Sequence, residues 1–367
     1  MISTPSPLLA SLRFKNGVET KNRVWLAPLT NLQSHADGSL GEDELNWLVR
    51  RAEGGFGVLE TCAAHVAEDG KAWDGELGVF ADHLVPGLTR LASAISAHGA
   101  TSLVQLFHGG LRADPKLTGG RTWSASAVEE MGLATPDEGT EKDILEVIGR
   151  FRDAAVRAES AGFHGVELHG AHGYLLAQFL SSTQNRRTDD WGGAFENRAR
   201  LLRETMRAVR AATSPSFVVG VRLSPEDWGQ SKGLDLDETL KLAGWLCDDG
   251  ADFIHASLWN TSRNTTKRPE QHPIPLFRAA IPRDVPLVVA GTIWTRAEGE
   301  ALLAMGADAI ALGRAAVANP DWARCIGDAA WEPRRPPLTV PEMVERGLSP
   351  KFANYMRNFR GFVAEGA

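Results

Sequence analysis

Eight short apolar runs, each followed by a longer stretch with helical spacing, recur along this chain. The runs lie at 22–29, 56–60, 102–107, 165–169, 217–223, 252–257, 285–290 and 307–312. The intervening helical patterns lie at 42–53, 84–97, 142–160, 196–212, 236–248, 274–280 and 296–305, with a short one at 174–180. Strands this uniformly apolar expect cover on both faces, and helical crossovers between them imply a parallel sheet. Eight such units with no internal boundary predict a (β/α)₈ barrel. A chain of 367 residues would suggest two domains by length, but barrels of this size run as one. We therefore expect one domain over 1–367, with the barrel core at about 22–320 and added helices at about 340–367. The alternative, an open doubly wound sheet, lacks support because no strand leads into Gly-x-Gly-x-x-Gly.

Charge and cysteine usage narrow the function classes. The net charge is −7 and the pI about 5.8, with no Lys or Arg cluster, which argues against nucleic acid as a partner. No apolar run approaches the ~18 residues of a membrane span. The leading Met1 to Pro7 segment has no basic stretch before an apolar core, so no signal peptide is expected. Cys62, Cys247 and Cys325 are odd in number and far apart, forming no disulfide framework, zinc motif or iron–sulfur run. A reducing cytoplasm is the expected location.

In this fold the chemistry sits where strands end. The fourth run stops at His169, followed by His172 and then Tyr174, one of two tyrosines in the chain. Two imidazoles beside a phenol suit the polarisation of a carbonyl and delivery of a proton. His-x-x-His could also bind metal, but a catalytic zinc wants a third ligand and no further ligand motif supplies one. Strand one ends in Ala27, Pro28, Leu29 and Thr30, which reads as a capped loop or as a wall with a hydroxyl. Gln105 on strand three could pair with a ring bearing adjacent N–H and C=O groups, or bond to backbone inside the core. Arg222 on strand five points to a buried ion pair or to an anionic ligand. Gly291 and Thr292 after strand seven, with Gly313 and Arg314 after strand eight, suit a phosphate group: glycine admits close approach, helix starts favour the charge, and Arg314 adds a charged donor. The polar stretch 185–198 reads as a structural loop with internally paired charges.

Together these pieces resemble the Old Yellow Enzyme family of FMN-dependent ene-reductases. The likeness runs from Lys21–Thr30 to Ala311–Arg314. Its most specific segment is 165–180 with the 185–198 loop; 51–55 and 104–108 also match. The resemblance implies FMN across the barrel mouth. Ala27, Pro28 and Leu29 and the Thr30 hydroxyl would contact the flavin ring, with Thr61 beside it. Gln105 would pair with the pyrimidine edge, and Arg222 would face the N1/C2 carbonyl region. Gly291, Thr292, Gly313 and Arg314 would hold the phosphate. His169 and His172 would bind the substrate oxygen, Phe107 would line its pocket, and Tyr174 would be the proton donor. It further implies hydride transfer from NAD(P)H through flavin N5 to the β-carbon of an α,β-unsaturated carbonyl or nitro compound, with trans protonation.

Several positions depart from common family patterns. Phe107 stands where Trp is frequent, Asn31 where Arg is frequent, and Thr61 where Ala or Gly is usual. The long polar segment 258–272 is expected to form part of a lid or rim. The amphipathic run 351–360 suits docking either on the barrel or on a second copy, so a homo-oligomer is an open expectation. A Schiff-base aldolase would want a strand-end lysine and none is present. A flavin-dependent tRNA-modifying enzyme would want a basic surface and a catalytic cysteine. The competing class is a non-catalytic FMN-binding or stress-sensing protein.

Overall fold

A computed structural model of the chain describes residues 5–130 and 132–364; the reading of the first four residues, and the outermost end of the 340–367 tail, lie outside them. Eight strands close into a parallel barrel in chain order. They are β1 (Val24–Leu26), β2 (Val58–His65), β3 (Thr101–Phe107), β4 (Gly165–Gly170), β5 (Val218–Leu223), β6 (Phe253–Ser257), β7 (Leu287–Ala290) and β8 (Ala309–Leu312). Each of the eight expected runs contributes one strand, and β8 pairs back onto β1 through Ile310 and Val24. Closure leaves no free sheet edge.

The crossover helices follow the helical patterns. They are α1 (Glu42–Glu53), α2 (Val85–Ser96), α3 (Glu141–Ser160), α4 (Arg200–Ala212), α5 (Leu236–Asp248), α6 (Pro273–Ala280) and α7 (Arg296–Ala304). Their starts are set by side chains: Thr140 with Asp143, and Thr295 with Glu298, form reciprocal capping boxes, and Asp235 caps α5. The helical pattern at 196–212 is interrupted at Ala199, giving a four-residue turn before α4. None of the described helices is long and apolar enough to cross a membrane.

The barrel lumen is sealed at the strand N-termini. A hairpin, Leu12–Arg13 with Glu19–Thr20, which the sequence reading did not anticipate, carries Phe14 beneath the barrel. Phe14, Trp25 and Phe253 pack edge to face with ring centres 5.0–6.0 Å apart. Gly220 makes this plug possible, since a Cβ there would lie 2.1 Å from the Phe253 ring. At the other end the C-terminal tail packs on its own barrel: Phe352 meets Trp47 at 4.9 Å, and Leu338 bridges to Val363. The apolar side of the 351–360 run is thus taken up within the chain.

Candidate active site

The sequence of β4 continues beyond its last ladder pair into Ala171, His172, Gly173 and Tyr174, where the chain turns sharply. His172 adopts a left-handed backbone (φ 60°), and Tyr174 precedes the helix Leu175–Leu180. This turn folds His169, His172 and Tyr174 onto one spot. The His169 ring centre lies 5.0 Å from that of His172 and 5.1 Å from that of Tyr174. Phe107, at the end of β3, stands edge-on to Tyr174 at 4.5 Å and 6.0 Å from His169. Trp73 backs Phe107 at 5.2 Å.

Burial dictates the protonation of these groups. Burial pushes the His169 imidazole well below its usual range, reinforced by His172, Arg222 and His255. Burial, then Arg222 and His255, does the same to His172. Both rings are therefore neutral and carry one N–H each. Ser257 Oγ accepts from Arg222 Nη2 at 3.1 Å and lies 2.8 Å from His172 Nε2, so its own proton can go to that nitrogen and leave the His172 N–H on Nδ1. The His172 backbone N–H donates to Ser224 Oγ. Nδ1 of His169 is buried and makes no hydrogen bond; an unpaired lone pair there costs less than an unpaired N–H, which places the proton on Nε2. Burial, with the nearby Glu76 carboxylate, pushes the Tyr174 phenol up to about 12, so it keeps its proton through the neutral range.

Below this cluster runs a layer of charge inside the barrel. Glu167 of β4 accepts from Gln105 Nε2 at 2.7 Å and pairs with His255 Nδ1 at 2.7 Å. With one amide proton committed to Glu167, Gln105 has its orientation set from within. Burial, then the neighbouring Glu167, pushes Glu60 well up, so Glu60 is the neutral member and its carboxyl proton is directed at Glu167. Burial opposes ionisation of Glu167 too, but His255 and Arg222 hold it below its ordinary value. Ligand atoms of Glu60, Glu167 and His255 lie within 4.8 Å of one another, a spacing that could also hold an ion. The His255–Glu167 contact accounts for the cluster as a hydrogen-bonded layer.

The other expected residues fall around the same mouth. Ala27 and Pro28 are buried while Leu29 and Thr30 are half-buried at the end of β1. Thr30 meets the phenol of Tyr355 from the C-terminal helix Pro350–Tyr355. Thr61 sits where β2 bulges between Glu60 and Ala63. Its hydroxyl donates to Cys62 O at 2.7 Å and accepts from Gln105 N at 3.3 Å, so it serves the barrel wall and has no proton left for a ligand. Asn31 is buried and donates through Nδ2 to Glu44 of α1 at 3.3 Å.

Gly291 (φ 148°) lies against the backbone of 259–260: a Cβ there would come 3.0 Å from the Trp259 carbonyl carbon. Thr292 takes a left-handed backbone (φ 47°) and bonds Asn260 through its hydroxyl at 3.1 Å. Gly313 leads into the short helix Arg314–Ala318, whose final carbonyls are held by buried Arg51. The loop 185–198 is pinned by its own groups: Arg187 pairs with Asp189, and Asn185 donates to Phe179 O and Trp191 O.

These residues fit a flat, anionic cofactor. Arg222 is buried with Nε unpaired and no carboxylate within ion-pair distance. Arg314 is part-buried, lowered by burial alone, and makes no ion pair. Among the described residues neither desolvated guanidinium makes an ion pair: Arg222 at the lumen is bonded only to Ser257 and acted on by Glu167 and Glu60 from a distance, and Arg314 stands beside Gly313, so both keep donors that an anionic group could use. The layer of Glu60, Glu167 and His255 and the roles of Ser257 and Tyr355 were missed in the sequence. The period-two spacing of Phe253, His255 and Ser257, and the lone carboxyls within the apolar β2 and β4, were the available signals.

The sequence profile of the NADH:flavin oxidoreductase / NADH oxidase family, whose cofactor is FMN, matches residues 7–329. A probable NADH-dependent flavin oxidoreductase, YqiG of Bacillus subtilis, is 35% identical over 323 residues, covering 86% of each chain. The NADH:acrylate oxidoreductase of Vibrio harveyi is 36% identical over 328 residues, but those cover only 32% of that longer protein. Further relatives carry the name NADPH dehydrogenase. Among solved structures, the Old Yellow Enzyme homologue from Zymomonas mobilis superposes with a TM-score of 0.81 at 26% identity, over 96% of this chain and 99% of that one. The barrel, the mouth and these likenesses lead to one conclusion: the chain is an FMN-dependent NAD(P)H oxidoreductase of the Old Yellow Enzyme family.

Proposed function

We propose that this enzyme reduces the carbon–carbon double bond of α,β-unsaturated carbonyl or nitro compounds, with Tyr174 as the proton donor. The observation that carries the reading is the convergence of two neutral imidazoles and a protonated phenol at the end of β4. FMN, when bound, supplies the hydride exchange between NAD(P)H and the alkene. Ala27, Pro28, Leu29 and Thr30 would flank its ring, with Thr61 beneath in the barrel wall. Gln105 would meet its pyrimidine edge, and Arg222 would stabilise the negative charge that reduction places there. Gly291, Thr292, Gly313 and Arg314 would hold its phosphate.

His169 and His172 each present an N–H where a substrate oxygen would sit. Holding that oxygen draws electrons from the double bond and makes its β-carbon electrophilic; losing one such donor commonly costs about 10²–10³ in rate. Phe107 shapes the space beside Tyr174. The phenol then protonates the α-carbon, a contribution of roughly 10²–10⁴. Expected for Tyr174→Phe is retained FMN and unchanged NADPH oxidation, with reoxidation by cyclohexenone slowed by about 10²–10⁴. Stopped-flow measurement of the two half-reactions separates them, and unchanged reoxidation would remove Tyr174 from the role.

A further inference from the structure

Beside the mouth, the loops after β5 and β6 form a cleft that is open to solvent. Its inner wall includes His172 and Ser257, so it opens onto the place where the substrate oxygen is held. Its outer wall is built from Trp228, Trp259 and Arg263. We infer that this cavity is a subsite for a planar aromatic group that carries an anion, attached to whichever molecule occupies the mouth. The inference rests on the ene-reductase reading for the identity of that molecule.

Three observations carry it. Trp228 and Trp259 are 40% and 56% exposed, with ring centres 6.4 Å apart and planes inclined by 44°. Two large apolar rings left open on one cavity wall offer stacking faces to a flat guest. Trp259 is also held in a left-handed backbone (φ 58°), a conformation a bulky residue adopts only when its surroundings impose it. The bonds Leu258 N to Ala290 O and Thr261 N to Gly291 O impose it here.

The charge is similarly directed. The Arg263 guanidinium lies 4.9 Å from the Trp228 ring centre and makes no ion pair among the described residues. Its neighbours on the loop are already committed: Lys267 to Asp235 and Asp237, Arg268 to Asp237. The one carboxylate lining the cavity, Glu226, is taken by the backbone N–H groups of Thr266 and Lys267. Arg263 is thus the cation left to meet an anion at the end of the aromatic wall. An aryl-substituted alkene with a carboxylate has this chemistry, and so does the adenylate end of NAD(P)H.

The test uses the FMN-loaded enzyme and its Trp228→Ala and Arg263→Gln variants. On the substrate side, 4-carboxycinnamaldehyde is compared with cinnamaldehyde; on the donor side, NADH is compared with reduced nicotinamide mononucleotide, which lacks the adenylate. A fall of about tenfold in kcat/KM for the aromatic anion of one pair, with cyclohexenone turnover on reduced nicotinamide mononucleotide kept, supports the subsite and names its source. Both pairs unmoved in both variants, with cyclohexenone still reduced, would overturn the subsite. A wild type that never reduces cyclohexenone would instead overturn the ene-reductase reading. Calorimetric titration of AMP and of 4-carboxycinnamate into wild type and variants then decides the subsite: binding weakened about tenfold by either variant supports it, and equal binding overturns it.

Discussion

The two halves of the barrel lumen are built on opposite rules. Below, Phe14, Trp25 and Phe253 interlock as an apolar plug, in which the indole N–H of Trp25 is the one polar side-chain group and lacks a partner; Arg23 Nε, at the start of β1, is the other unpaired donor at that end among the described residues. Above, within the same eight strands, His169, Arg222 and His255 all carry buried polar atoms without partners. A buried unpaired polar group costs about 1–3 kcal/mol. The lower half stabilises the fold, while the upper half is left incomplete, which is the arrangement the proposed cofactor and substrate site requires. The difference teaches that position along the barrel axis, more than burial, separates scaffold from site.

The sharpest way to break this contrast is to exchange the expected phenotypes. Trp25→Ala should destabilise by about 3–5 kcal/mol, read from urea unfolding, with FMN affinity and KM for an enone retained in the folded fraction. A large KM change with little loss of stability would erase the division. Within the upper half, Glu167→Gln removes the charge and one of the two acceptor oxygens, so Gln105 and His255 can no longer both be satisfied. It should cost about 1–3 kcal/mol and weaken FMN binding, followed by flavin fluorescence on release. Glu60→Gln replaces a carboxyl that the fold already keeps neutral, and should change stability by less than about 1 kcal/mol. Equal losses in the two variants would contradict the assignment of the charge to Glu167.

The smallest effect concerns pH. His169 and His172 have folded-state values depressed below those of the unfolded chain. On acidification the unfolded chain takes up protons first, from about pH 6.5 downward, so stability is present above that value and is lost as pH falls. The thermal midpoint should therefore drop between about pH 7 and 5, less so in a His169→Asn/His172→Asn double variant. An unchanged slope in that variant would show that other groups set the acid limit.

Much of the scaffold was legible because parallel strands buried on both faces announce themselves as apolar runs. The β4 end was legible for a different reason: His169, His172 and Tyr174 are adjacent in sequence, so one turn brings them together. The layer beneath was not, because Glu60, Glu167 and His255 lie on three strands and meet only when the barrel closes. Ser257 and Tyr355 were hidden in the same way, one on β6 and one in the tail. Likeness placed Thr61 beside the cofactor and left the role of its hydroxyl open; that hydroxyl bonds within the β2 bulge, to Cys62 O and from Gln105 N, a pairing that again forms only when the strands meet.

The most direct test of the account is an anaerobic visible spectrum of the purified protein before NADPH, after NADPH, and after cyclohexenone. A yellow protein that bleaches with NADPH and regains its colour with the enone is the predicted result. A yellow protein that bleaches and stays bleached under cyclohexenone and a nitroalkene would contradict the alkene chemistry assigned to His169, His172 and Tyr174.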